Sequence, residues 1–481
     1  METTHQTPSF SVIRKDVELV KPSKPTPSEI LSLSTLDNNP PLERYTHVVY
    51  AYRAKSNSSN HVNHNNHVHD HVASNFVADK LLEPACMIKE ALSKALVYYY
   101  PLAGKLRRDS NGDLRITCNA AGVPFLVAEA DCQLSSLRYL DGIGIETLKQ
   151  LVSDFQSYDV DSDGYHPIGL QVTKFSCGGL TIGLCLSHSI CDGPGTAQFL
   201  KAMSEFTMGK MEPTLKPVWD RERLTGKTIE AVPLNSTEGE AFSSATSPYL
   251  PTSELLHDCA YVTSESIKRL KMKLMKEIVD SNEVPSESFT TVEVLGGFIW
   301  RARARALNLN PDGKTLFVLT MGIRNHFVPP LPDGYYGNAF IGSNVVVMGK
   351  DLNEQPLSKT VQLIKQSKKT AFQNDYIRHS IDVTETTRKQ NKKIESTCPN
   401  TVFTDWRHLG LLEIGFGSWE AVNIEPIPWN MSGHVDLCLL MPPAKLDPAM
   451  EGGARILVSL PRPAMAKFKE EIDSLKVEDD D

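Results

Sequence analysis

From Met208 to Thr252 the chain loses its hydrophobic periodicity and becomes a run of Pro, Ser, Thr and charged residues. So long a stretch without a repeat of two or of 3.6 reads as a crossover between compact units. On each side of it, alternating strand patterns interleave with helical ones. The 481 residues therefore divide into an N-terminal lobe at 1–207, a crossover linker at 208–260 and a C-terminal lobe at 261–481. No Gly-x-Gly-x-x-Gly and no Walker loop marks a nucleotide-binding unit. The class is α+β, or mixed α/β, in two lobes.

In the first lobe, Phe10 to Val20 and Val48 to Tyr52 read as strands. Pro84 to Tyr98 is a helix, with Ile88, Leu92, Ala95 and Leu96 on one face and Pro101 ending it. Strands follow at 114–117 and 125–128, then a shorter helix from Ile145 to Phe155. Residues 169–175 and 180–186 form a hairpin whose Cys177-Gly178-Gly179 turn supplies the positive-φ positions. In the second lobe, Thr263 or Ser264 caps a helix with Ile267, Leu270, Leu274 and Ile278 inward. A helix from Thr291 to Leu307 is expected to bury Val292, Leu295, Ile299 and Ala302 and to turn Arg301, Arg303 and Arg305 outward. Strands at 316–320 and 342–348, a helix at 357–373, strands at 436–441 and 455–459 and a last helix at 464–475 complete the pattern.

Composition removes several function classes. A formal charge of −8 and a pI near 6.0 do not suit a nucleic-acid binder, which needs a basic face to release counterions. No run of apolar residues is long enough to span a bilayer. The polar Met1–Phe10 stretch has no apolar signal core, which points to the cytoplasm. The nine cysteines are odd in number and contain no Cys-x-x-Cys, so reduced thiols are expected rather than a disulfide framework or a zinc site. Five histidines, His61, His64, His67, His69 and His71, lie in an Asn- and Ser-rich stretch. Nothing there fixes a ligand geometry, and the stretch reads as a surface loop with no metal assigned.

The chemistry-bearing feature is Ser187-His188-Ser189-Ile190-Cys191-Asp192-Gly193, at the end of the strand Leu180–Leu186. By itself His-x-x-x-Asp is a weak pattern. No Gly-x-Ser-x-Gly surrounds a serine, which argues against a serine hydrolase. Cys191 lacks the signature of a thiol nucleophile. A single histidine acting as general base is the simplest reading, worth typically ~10²–10⁴-fold. If the electrophile is an activated thioester, no covalent enzyme intermediate is needed.

Several stretches together resemble the plant BAHD acyl-CoA-dependent acyltransferases over nearly the whole length. They are Leu33-Ser34-Thr35-Leu36-Asp37, Ala91–Leu96 with Tyr99–Gly104, His188–Gly193, Tyr336-Gly337-Asn338, and Thr404-Asp405-Trp406-Arg407 with Leu409-Gly410. The likeness is closest to alcohol acetyl- and benzoyltransferases, including those acting on taxane-type diterpenoids. It implies two similar lobes of the chloramphenicol-acetyltransferase-like type, with a channel between them and His188 in the middle. It further implies a monomer that takes acyl-CoA as co-substrate, holds no bound cofactor, and acylates the hydroxyl of a small-molecule alcohol. Asp192 would be a brace that pairs with an arginine. Lys268 and Ser288 would lie near the CoA.

The family's Asp-Phe-Gly-Trp-Gly motif falls on Gly415-Phe416-Gly417-Ser418-Trp419. Its aspartate is Gly415 here and its tryptophan Ser418. Arg324 stands where that aspartate's partner is expected, so it should be unpaired or switched to Glu413 or Glu420. The change raises an alternative, an impaired homologue that binds ligand without turnover. N-acylation is a further variant that the residues do not separate from O-acylation.

Overall fold

The computed structural model describes residues 10–55, 83–155, 163–230, 243–252, 254–281, 288–390, 400–428 and 437–476. The His61–His71 stretch lies outside the described residues.

The N-terminal half opens with β1 (Val12–Arg14), β2 (Glu18–Val20) and β3 (Glu29–Ser32), followed by the long strand β4 (Tyr45–Ala54). Helix α1 (Pro84–Tyr98) leads to β5 (Lys105–Arg108), β6 (Leu114–Cys118) and β7 (Val123–Ala130). One helical turn, α2 (Ile145–Leu148), precedes the hairpin β8 (Ile168–Phe175) and β9 (Leu180–Ser187), and α3 (Gly193–Thr207) closes this half. After the crossover come β10 (Leu255–Val262), α4 (Ser264–Asp280), α5 (Thr291–Ala306), β11 (Lys314–Gly322) and β12 (Phe340–Met348). Then follow α6 (Gly349–Glu354), α7 (Leu357–Ala371), α8 (Asn374–Lys389) and β13 (Thr401–Asp405). The last elements are β14 (Trp419–Ile427), β15 (Leu437–Met441), β16 (Ala454–Pro461) and α9 (Arg462–Asp473).

Two large mixed sheets carry the molecule. The first runs β1-β7-β8-β9-β4-β14, with β2 also on β7; the second runs β10-β16-β15-β13-β11-β12. A small β3-β6-β5 sheet sits beside the first. Helices α1 and α3 pack together over a core that includes Tyr50, Leu92, Ile182 and Phe199. Helices α4, α5, α7, α8 and α9 contribute to a second core with Trp300, Phe317 and Phe403. The halves interlock. β14 comes from the C-terminal half yet pairs antiparallel with β4, so residues 419–427 complete the first sheet.

Three sequence expectations change. The first strand is two short ones, β1 and β2, both antiparallel to β7. The helix expected over 145–155 stops at Leu148, because the Gln150 carbonyl accepts from Arg14 and from Gln171 instead of continuing a helical ladder. Arg303 is buried, not outward, and donates to Thr401 at 3.0 Å. Helix α5 is covered by α7, α9 and β13, so it lacks the wide solvent face that an amphipathic reading assumes.

Candidate active site

Strand β9 is buried along its whole length, and its pairing with β4 puts Ser187 opposite Tyr45. The His188 amide then donates to the Arg44 carbonyl at 3.1 Å, so the histidine leaves a rigid strand rather than a loose loop. A turn follows, and Asp192 caps α3 by accepting from the Gly195 amide at 3.0 Å. Gly195 is needed for proximity: a Cβ there would lie 2.0 Å from the Tyr336 carbonyl oxygen.

Asp192 faces the second half of the chain. Its two oxygens accept from Arg324 at 2.7 and 2.8 Å, a bidentate pair, and from the Ala339 amide at 3.0 Å. Arg324 also donates to the Gly337 and Tyr335 carbonyls. The expectation that Arg324 is unpaired, or switched to Glu413 or Glu420, is therefore corrected: Arg324 holds Asp192, and Glu420 pairs with Arg53. The bridge clamps the histidine's turn to the segment between β11 and β12.

A second carboxylate organises the imidazole. Asp37 is fully buried and accepts from Ser34 Oγ (2.7 Å), Arg221 Nη1 (2.7 Å), Asn338 Nδ2 (2.8 Å) and the Asn338 amide (3.0 Å). Asn338 Nδ2 spends its other hydrogen on the His188 carbonyl at 2.8 Å. Both partners are acceptor-only, which fixes the amide's orientation and points Oδ1 at His188 Nδ1, 3.1 Å away. Nδ1 must then carry the hydrogen, and in the neutral ring Nε2 is left with the lone pair. Burial pulls the His188 pKa below its ordinary value, with the Asp192 and Asp37 charges partly opposing that shift. At neutral pH the ring is therefore a neutral imidazole with a basic Nε2.

Arg221 comes from the crossover. It is as buried as Asp37, donates to the Ile190 carbonyl at 2.8 Å and lies over the rings of Trp219 and Tyr336. Nothing in the aperiodic run around it signals this role. Asp37 and Asn338 stand in stretches that carry the family resemblance, but their connection through space to His188 was not legible. Cys191 is buried, and that burial pushes its thiol up to about 12, which does not suit a nucleophile.

The altered motif lies at the opposite end of α3. The Gly415 carbonyl accepts from Ser204, the Gly417 amide donates to Thr207, and the Ser418 carbonyl accepts from Lys55. A Cβ on residue 415 would fall 2.7 Å from the Trp419 carbonyl oxygen, so this backbone has no room for an aspartate. Trp419 instead anchors the segment by donating to the Gly178 carbonyl at 2.9 Å.

Of the two residues expected near CoA, Lys268 is exposed on α4 beside Glu265, whereas the Ser288 carbonyl accepts from Lys365 at 3.1 Å. The structure gathers cations around the start of α5: Lys271 bonds Thr291, Lys365 bonds Ser288, and Lys368 bonds Glu293. Burial and the neighbouring Arg407 lower the Lys271 pKa. Two cavities open where the halves meet. A groove of about 530 Å³ is lined by Asn39, Phe340, Tyr376, His379, Ser380 and Thr384 among others, and Phe340 stacks edge-on against His188 at 5.9 Å. An apolar slot of about 40 Å³ is bounded by Val48, Trp406, Leu439 and Leu457.

The family profile described as "Transferase family" matches residues 65–475. The chain is 41% identical over 471 residues to the spermidine coumaroyl-CoA acyltransferase of Arabidopsis thaliana, covering 96% of this chain and 95% of that one. It is 31% identical over 460 residues to the taxadien-5-alpha-ol O-acetyltransferase of Taxus chinensis, covering 95% of each. Among solved structures, vinorine synthase superposes with a TM-score of 0.69 at 21% identity, over 97% of this chain and 98% of that one.

The Asp37 cluster generates a stability prediction. Arg221→Met leaves a buried carboxylate without its counter-charge and should cost about 3–5 kcal/mol, read as a lower midpoint in urea unfolding. A loss within experimental error would show that Ser34 and Asn338 suffice to hold Asp37.

Proposed function

The chain belongs to the BAHD acyl-CoA-dependent acyltransferases of the Transferase family, and from that premise we propose that it acylates an amine of a polyamine, with His188 as general base. Enzymes of this family take the CoA thioester as a co-substrate and hold no resident cofactor. The observation that carries the base assignment is the Asp37–Asn338–His188 hydrogen-bond chain, which leaves Nε2 as the acceptor.

The acceptor N–H gives its proton to His188 Nε2 as the nitrogen attacks the thioester carbonyl. The tetrahedral intermediate collapses with cleavage of the C–S bond, and the imidazolium returns the proton to the leaving CoA thiolate. The products are an amide and free CoA. The imidazolium that forms in between is favoured by Asn338, which relays the Asp37 charge, and by the Asp192 carboxylate. Asp192 acts through the backbone it braces rather than on the substrate. We place the CoA phosphates against Lys271, which reaches the start of α5 at Thr291, whereas the neighbouring Arg407 is already held by Asp405.

The polyamine reading rests on the Arabidopsis relative that acts on spermidine, and the acyl group in its name supports an aromatic acyl chain. The second reading, transfer of acetyl or benzoyl to a hydroxyl, is favoured by the Taxus O-acetyltransferase at lower identity. The same base serves either acceptor, since both must lose a proton as the new bond forms.

Incubation with coumaroyl-CoA and spermidine should release CoA thiol faster than with a panel of alcohols, and His188→Ala should lower the rate on the order of 10²–10⁴-fold. Turnover confined to alcohols would favour the second reading, and turnover unchanged in His188→Ala would remove the base. The His188 pKa lies below its ordinary value, so the basic form predominates at pH 7 and is lost as pH falls through that lowered pKa. With a polyamine the rate should also climb above pH 8, as ammonium (pKa about 10, like a Lys amine) gives way to free amine; with an alcohol it should level off. Lys271→Ala should raise the KM for acyl-CoA roughly tenfold, about 1.4 kcal/mol, with kcat retained. An unchanged KM would move the phosphates elsewhere.

A further inference from the structure

We infer that His47, Asp154 and Cys185 form a binding site for one divalent transition-metal ion of the zinc type. The fold builds the donor set. His47 on β4 and Cys185 on β9 are direct cross-strand partners, which puts their side chains on the same face of the sheet. The chain beyond α2, having left the helical path, lays Asp154 over that pair. One donor atom from each residue lies within 4.8 Å of the other two. Cys185 is fully buried, while Asp154 is exposed and leaves the cluster open to solvent on one side. A second observation points to a ligand: His47 Nε2 is sealed from solvent and has no hydrogen-bond partner among the described residues. A buried ring nitrogen without a partner costs stability, and an ion would remove that cost.

Imidazole nitrogen, thiolate sulfur and carboxylate oxygen are the donors zinc takes, at ~2.0–2.3 Å. Donors around such an ion stand ~3.3–3.8 Å apart by that geometry, so donors within 4.8 Å of one another need only a small closure on binding. A water entering from the Asp154 side completes four-coordination. Coordination replaces the Cys185 S–H bond with a metal–sulfur bond and releases one proton to solvent. The site lies on the strand that leads into His188, so an ion there would tie β4 to β9 just ahead of the histidine.

The test is a titration of the chelator-stripped full chain with Co²⁺, followed by near-ultraviolet absorption. One equivalent should produce a thiolate-to-cobalt charge-transfer band. The band should vanish in Cys185→Ser, and Asp154→Asn should weaken binding by roughly tenfold or more, as loss of a ligand requires. A variant with His61, His64, His67, His69 and His71 all replaced by Gln should keep the band. Absence of a band, its survival in Cys185→Ser, or its loss in the five-histidine variant would overturn the site. If Cys185→Ser does not fold, Asp154→Asn decides, since its carboxylate is exposed: unchanged affinity there refutes the assignment.

Discussion

Everything near the histidine depends on one buried carboxylate. Asp37 accepts hydrogen bonds from its own turn at Ser34, from the crossover at Arg221 and from the C-terminal half at Asn338. An unpaired charge at that depth would be prohibitive, so the three segments are obliged to converge on it. Arg221 neutralises the charge and also ties down the Ile190 carbonyl within the histidine's turn. Asn338 converts the charge into a direction, because its amide has only one orientation that satisfies all its partners. The tautomer of His188 is thus set through Asn338 by a residue it never touches.

The Asp192–Arg324 pair complements this arrangement at a second point. It joins the start of α3 to the segment between β11 and β12, as Asp37 joins the amino-terminal segment to Asn338. The two carboxylates hold the halves together near the imidazole, while β14 fastens them again by completing the first sheet. The site is assembled from both halves and from the crossover. The Gly415 and Ser418 substitutions act at the far end of α3, where Trp419 replaces the lost anchor by bonding to Gly178. They leave the Asp37–Asn338–His188 chain intact.

Much of this was legible in the sequence, and the remainder was hidden for identifiable reasons. Helix α1 was readable because the helical spacing of Ile88, Leu92, Ala95 and Leu96 agrees with a stop at Pro101. The β8–β9 hairpin was readable from alternation and its glycine turn. Helix α8 was not, since only Ile377, Ile381, Glu385 and Thr386 are buried along it, and two of those are polar. β14 escaped because it follows the altered motif and carries Asn423, Glu425 and Pro426 within a strand. The pairing of Arg324 was misjudged because sequence order says nothing about which of several carboxylates an arginine meets in space. Arg221 was invisible, since a charged residue in an aperiodic run reads as solvated. His188 itself could be found because its strand, turn and glycine are local; its supporting residues are not.

The central claim is that Asn338 fixes the His188 tautomer. Nitrogen-15 NMR of the imidazole at neutral pH measures it directly. The account predicts a protonated Nδ1 and an unprotonated Nε2, reverting toward a tautomer mixture in Asn338→Leu. A hydrogen on Nε2 in the native protein would contradict it.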